Sequence, residues 1–270
     1  MPEGDTVFKL AAYLRPQLLG RTLGRGSLYG LRRDDLCGRQ VSDVYARGKH
    51  LFVELDARQL LRSHLGMYGS WHTYAPGEAW QKPARRAALV LNTGERLFVC
   101  FDPLQIEMLR RGGVRERRLD AALGPDLLAT EVDLAAVLAR AHALGDAHAP
   151  VVDLLLDQRI AGGIGNVYKS EVLFLEQIDP HLAIGCLDDK QILALYRRAH
   201  ELLRENVSGG PRVTRRAPDD AGELWVYGRN GQPCLCCDSV IRSDRVGRGL
   251  RTTFWCPHCQ FEVNAQTSRV

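Results

Sequence analysis

The stretch DQRIAGGIGNVYKSEVLF, residues 157–174, decides how the middle of the chain folds. Apolar residues at helical spacing from Leu154 to Ile160 predict one helix, Gly162 and Gly163 break it, and Asn166 stands where a second helix needs an N-cap. Amides exposed at such a start, with the positive end of the helix dipole, make a seat for phosphate. Gly165 and its neighbours leave room for close backbone approach, and Lys169 adds a cation one turn in. Taken alone, the string is better read as two helices joined by a plain loop. Its value lies in combination with the rest of the chain.

Toward the C-terminus, helical periodicity continues through DDKQILALYRRAHELLREN, and SGGPRVTRRAPDDAG (208–222) reads as a loop. The chain then carries Cys234 and Cys237 as one C-x-x-C pair and Cys256 and Cys259 as another, with eighteen residues between them. Two such turns present four thiolates to one tetrahedral ion, which suits zinc, and the spacing is that of two-knuckle zinc sites. Cys236 lies between two candidate ligands and reads as a bystander, with substitution for Cys237 as the alternative. Between the pairs, VGRGLRTTFW (246–255) predicts a β-hairpin turning at Gly247 and Gly249, with more arginine than aspartate along it. The remaining thiols, Cys37, Cys100 and Cys186, read as small buried hydrophobes.

Toward the N-terminus, Val7, Leu10, Ala11, Leu14 and Leu18 predict a helix that Thr6 can cap. From about Arg21 to Leu109, short runs such as LFVEL, AALVLN and RLFVCFD alternate with turn residues and predict an antiparallel sheet domain. RRGGVRERR (110–118) reads as a connection, and DLAAVLARAHAL (133–144) as a helix. The expected division is 1–128, 129–222 and 223–270.

A net charge of +4 and a pI near 8.7 permit a nucleic-acid partner without demanding one. Glu3, Asp5 and Lys9 interrupt the place of a signal peptide's apolar segment, and no run approaches the roughly 20 apolar residues of a membrane span. A cytoplasmic protein without a membrane partner is the expectation, and in a reducing compartment clustered cysteines point to metal rather than disulfides.

Three separated motifs, MPEG at 1–4, GGIGNVYKSE at 162–171 and the paired C-x-x-C with LRTTFW before the second pair, resemble the formamidopyrimidine-DNA glycosylase/endonuclease VIII family of base-excision repair enzymes. The resemblance spans essentially the whole chain. It implies an α+β multidomain fold: an N-terminal antiparallel β-sandwich with an N-terminal helix, a helix–two-turn–helix domain, and a C-terminal zinc-finger β-hairpin. It also implies a monomer acting on damaged DNA, double- or single-stranded. HLGMYGSW (64–71), IEMLR (106–110) and LGPDLL (123–128) look more like the endonuclease VIII branch. Where the 8-oxoguanine branch carries DPRRFG, this chain has DPLQIEM (102–108), which favours oxidised pyrimidines.

The resemblance also assigns roles. Pro2, once Met1 is removed, is the amine that attacks the sugar, and Glu3 is the adjacent general acid/base. Lys49 matches the hairpin lysine set on phosphate beside the lesion, and Arg251 the zinc-finger arginine on phosphate. Asn166 matches the residue that holds the DNA backbone, and Met67 and Tyr68 lie where side chains fill the gap left by an everted base. Thr6 departs from the glutamate common at this position, so a supporting carboxylate is missing or shifted to Asp5. Two alternatives stay open: a purine-directed glycosylase of the same family, and a zinc-ribbon DNA binder without turnover.

Overall fold

The computed structural model describes residues 2–25, 27–28, 36–217 and 219–260, and Met1 lies outside them. The chain forms two compact units, 1–122 and 123–270.

The first unit opens with α1 (Gly4–Leu18) and continues with β1 (Ser27–Leu28), β2 (Val41–Arg47), β3 (His50–Leu55), β4 (Gln59–His64), β5 (Ser70–Tyr74), β6 (Ala87–Asn92), β7 (Leu97–Phe101), β8 (Gln105–Arg110) and α2 (Val114–Ala122). Two four-stranded antiparallel sheets result, in the orders β1-β6-β7-β5 and β2-β3-β4-β8. Strand periodicity sorts the side chains. Leu51, Val53 and Leu55 of β3 join Leu89 and Leu91 of β6, Phe98 and Cys100 of β7, and Val7, Ala11, Leu14 and Leu18 of α1 in one buried cluster. That shared core makes the two sheets a sandwich.

The other face of β3 contributes Phe52, which packs with Tyr45, Leu60, Leu109 and, from α2, Leu119. The arginine-rich segment expected as a mere connection is therefore partly helical. Glu116 explains the local order: its buried carboxylate accepts from the Gly112 amide and from Arg111, tying down the turn ahead of the helix. Of the three thiols expected inside, only Cys100 is buried. Cys37 lies in a surface turn before β2 and Cys186 in a short surface turn, so neither has a core to enter.

The second unit holds α3 (Leu134–Leu144), α4 (Val151–Leu156), α5 (Asn166–Leu175), α6 (Asp189–Glu205) and the hairpin β9 (Arg242–Val246) and β10 (Arg251–Trp255). Asp188 and Gln191 form a capping box on α6. The helix expected through Ile160 ends at Leu156, where the Asp157 side chain bonds the Arg159 amide and starts a turn instead. The glycine-rich link that follows pairs back: Gly162 N–H donates to the Pro125 carbonyl at 2.8 Å.

Helix α5 is the strut of this unit, and its polar residues face inward. Asn166 Nδ2 donates to the Thr252 carbonyl at 2.7 Å, Lys169 Nζ donates to Asn166 Oδ1 and Thr253 Oγ1 at 2.7 Å each, and the Phe254 amide reaches Ser170 Oγ at 3.4 Å. One helix face thus fixes three successive residues of β10. One position further, the fully buried Glu171 accepts from the amides of Trp225, Val226 and Tyr227 at 2.8, 3.0 and 2.8 Å and from the Thr214 hydroxyl. Removing that carboxylate strands four donors, three backbone amides and one hydroxyl. Glu171→Ala is expected to cost about 3–5 kcal/mol, with Glu171→Gln losing less because one acceptor survives. Urea midpoints of the three proteins check this, and an alanine variant within about 1 kcal/mol of wild type would refute it.

Candidate active site

In the first unit, α1 holds the start of the chain in place. Glu3 is its N-cap residue, and its carbonyl accepts from the Val7 amide at 3.1 Å. The expectation that Thr6 caps the helix is corrected, since the helix begins at Gly4 and Thr6 lies in its first turn, its hydroxyl on Asp5 Oδ1 at 3.3 Å. Glu3 and Asp5 are both buried, at 0% and 1% exposure, and Lys9 Nζ lies 3.9 Å from Asp5. A carboxylate is therefore present one residue before Thr6. The helix dipole favours anionic groups at this end. At the other end, Arg15 pairs with Asp43 at the start of β2 at 2.8 Å. The helix packs against β2 and β3 through the sandwich core.

The turn from β2 into β3 is Gly48–Lys49, closed by the pairing of Arg47 with His50, and Gly48 at φ 55° supplies the left-handed residue that so tight a turn requires. Lys49 is half-buried at its tip. The segment after β4 belongs to the same end of the sheet, because His64 pairs with His50. It carries Met67 and Tyr68, 48% and 75% exposed. Gly69 shapes that turn: a Cβ there would lie 2.4 Å from the Leu65 carbonyl oxygen, so only glycine fits.

Two histidines at this end of the sheet carry no role in the sequence motifs. His50 and His64 sit side by side across β3 and β4, ring centroids 4.8 Å apart, and neither Nδ1 has a hydrogen-bond partner. Burial, then Arg62 and His64, push His50 down to about 3, while burial, then Lys49 and Arg62, push His64 to about 4. Both are neutral at physiological pH. The sequence signal was the strand alternation itself, which places His50, Arg62, His64 and Glu107 on one face. Arg62 pairs with Glu107 at 2.6 Å on that face.

In the second unit, Asn166 is the first residue of α5 and Gly165 its N-cap. This corrects the expected N-cap, and the Asn166 amide is turned to the hairpin instead. Lys169 is wholly buried, its ammonium spent on Asn166, Thr253 and Thr252. Arg251 opens β10, exposed, opposite Val246. Phe174, Val226, Ile241, Cys234 and Cys256 form one apolar cluster. The sulfurs of Cys234, Cys237, Cys256 and Cys259 all lie within 4.8 Å of one another, with Cys234 and Cys259 3.9 Å apart and Cys237 3.4 Å from both Cys256 and Cys259. Tetrahedral zinc with bonds of about 2.3 Å separates its sulfurs by about 3.8 Å, so the four thiols fit such an ion. Cys236 is exposed and outside the group, which leaves Cys237 as the ligand candidate.

Comparison with known proteins covers both units. The formamidopyrimidine-DNA glycosylase N-terminal domain matches residues 1–105 and the formamidopyrimidine-DNA glycosylase H2TH domain residues 123–216. A Streptomyces coelicolor protein named "Probable endonuclease 8 2" is 40% identical over 266 residues, 96% of this chain and 94% of that one. The DNA-(apurinic or apyrimidinic site) lyase Nei2 of Mycolicibacterium smegmatis is 39% identical over 262 residues, 96% and 99% of the two chains. Among solved structures, the complex of Lactococcus lactis Fpg with an abasic-site DNA superposes with a TM-score of 0.81 at 23% identity, covering 96% of this chain and 100% of that one.

The histidine pair makes stability depend on pH in a definite sense. The unfolded chain binds protons on these residues near pH 6.5, whereas the folded state refuses them until about 4 and 3. Their contribution is complete above pH 6.5 and is lost as the pH falls toward those values. Between pH 6.5 and 4.5, wild-type stability should fall more steeply than that of a His50→Gln/His64→Gln variant, by on the order of 1 kcal/mol per pH unit. Urea unfolding of both proteins at pH 7 and 5 measures the difference, and parallel declines would refute it.

Proposed function

The chain belongs to the formamidopyrimidine-DNA glycosylase and endonuclease VIII family, and from that premise we propose a bifunctional DNA glycosylase and abasic-site lyase of base-excision repair that prefers oxidised pyrimidines. The observation that carries the reading is the placement of Pro2 and the buried Glu3 at the head of a helix whose apolar stripe is sealed onto the sheet. A chain terminus so anchored can serve as a positioned nucleophile.

With Met1 removed, Pro2 carries a secondary amine. Model α-amino groups titrate at about 7.7–8.0, leaving roughly a tenth or more uncharged at pH 7. The amine adds to C1′ of the damaged nucleoside as the C1′–N bond to the base breaks, and the sugar ring opens to an iminium ion. That cation withdraws electrons from C2′, whose proton is lost as the 3′ phosphate departs, and a second elimination releases the 5′ phosphate. Glu3 moves protons to and from the ring oxygen, and Lys49 meets the phosphate beside the lesion. Arg251 grips a phosphate and assists the second elimination, and Asn166 helps hold the DNA backbone. Lys169 and Gly165 act by setting the α5–hairpin junction. Met67 and Tyr68, exposed on one turn, offset the unstacking cost of an everted base.

Zinc is proposed as the ion of the four cysteines, where it holds the hairpin closed and does no chemistry on the substrate. The functional division is 1–128 for catalysis, 129–222 for the helix–two-turn–helix and 223–270 for the zinc finger. No helix among the described residues is long and apolar enough to cross a membrane. We place the enzyme in the cytoplasm as a monomer on DNA.

Borohydride trapping on abasic-site DNA should give a covalent adduct whose peptide maps to Pro2, and protein with Met1 retained should give none. A trapped lysine instead, or no adduct from processed protein, would overturn the assignment. Glu3→Gln should slow base release by about 10²-fold or more while abasic-site trapping persists. Thymine glycol should be released faster than 8-oxoguanine from matched duplexes, and the reverse order assigns the purine-directed branch. Elemental analysis should find one zinc per chain, and Cys256→Ser should lose it together with DNA affinity.

A further inference from the structure

The β2-β3-β4-β8 sheet has a second end, on the order of 17 Å from the Gly48–Lys49 turn by the length of a six-residue strand. Here the β3–β4 turn, the end of β8 and the start of α2 enclose a cavity of about 570 Å³. Five arginines line it: Arg58, Arg110, Arg111, Arg115 and Arg117. Arg111 is matched by Glu116 at 3.0 Å and Glu54 at 3.7 Å, and Arg117 donates to the Gly112 carbonyl. Arg58, Arg110 and Arg115 are exposed and have no carboxylate partner among the described residues. Guanidinium groups so gathered repel one another, and an anionic partner relieves that repulsion.

The lining narrows the kind of partner. Between the cations lie Met108, Leu109 and Val114, the last 57% exposed in a helix start ringed by charge. No aromatic side chain lines the cavity, so nucleobases have no stacking platform there. Cations around an aliphatic patch match carboxylates flanking an apolar side chain. Arg58 is displayed by a tight turn in which Ala57 and Arg58 both have positive φ, 55° and 60°, a rigid presentation rather than a frayed loop.

We propose that this cavity is a docking site for an acidic peptide segment of a partner protein, its carboxylates taken by Arg58, Arg110 and Arg115 and one apolar side chain set against Val114 and Met108. The site is independent of the lesion chemistry and lies at the other end of the sheet from Lys49.

Fluorescence anisotropy with a fluorescein-labelled peptide of aspartates around a central leucine tests this on the full-length protein. Binding is expected at low salt and should weaken as salt screens it. An Arg58→Glu/Arg115→Glu variant should lose affinity by about tenfold or more, while borohydride trapping on a short abasic duplex stays at the wild-type level. Replacing the leucine by glycine should weaken binding without abolishing it. No binding, or equal binding to the double variant, overturns the proposal. So does displacement of the peptide by undamaged duplex that itself binds the double variant more weakly, an outcome that assigns the cavity to phosphates. A thermal melt of the double variant at the wild-type midpoint confirms that the fold is retained.

Discussion

The second unit depends on a helix that buries its polar side. Asn166, Lys169, Ser170 and Glu171 are all inside, and each is matched to a strand or segment that would otherwise have no fixed place. Burying an ammonium and a carboxylate costs several kcal/mol apiece unless their hydrogen bonds are completed. Here the hairpin's Thr252 and Thr253 and the amides of 225–227 complete them. Dependence is therefore mutual: the hairpin needs α5 for its position, and α5 needs the hairpin to tolerate its own side chains. The four-cysteine group then closes the far end of that hairpin, packed on Phe174 of the same helix.

The first unit meets a different constraint. Its functional residues stand at the head of the chain, where order has to be imposed from outside. Val7, Ala11, Leu14 and Leu18 give α1 one apolar stripe, and the stripe has a sandwich core to enter. Each buried leucine or valine stabilises by about 1.5–3 kcal/mol relative to exposure, so the helix cannot fray without exposing several of them. Pro2 inherits that rigidity from residues five or more positions away.

What the sequence disclosed follows from how local the responsible physics is. Strand alternation and helical spacing are short-range, so the antiparallel sheets, α1, α3, α6 and the cysteine hairpin were readable from their own residues. The internal partners of Asn166 and Lys169 were not, because Thr252 and Thr253 lie more than eighty residues away. Read locally, an asparagine before a helix is a cap and a lysine after glycines is a phosphate ligand. The short helix α2 was hidden for a related reason. RRGGVRERR looks like solvated charge, and only Leu119 against Phe52 and Glu116 on the Gly112 amide give it a reason to order. Cys37 and Cys186 are the reverse case: their residue type favours burial, but neither has a core to receive it.

The face of the sheet that carries His50 and His64 shows how electrostatics is handled near Lys49. Of the arginines there, Arg47 is matched by Asp120 and Arg62 by Glu107. Two imidazolium ions added to this row would place uncompensated charge against Lys49 and Arg62, and burial compounds the cost. Neutral imidazoles avoid it, and each keeps one ring nitrogen able to donate or accept according to its tautomer. The two imidazoles therefore add no charge beside the Gly48–Lys49 turn from neutral pH down to about pH 5. Any pH dependence of chemistry beside Lys49 in that range therefore comes from groups other than these two histidines.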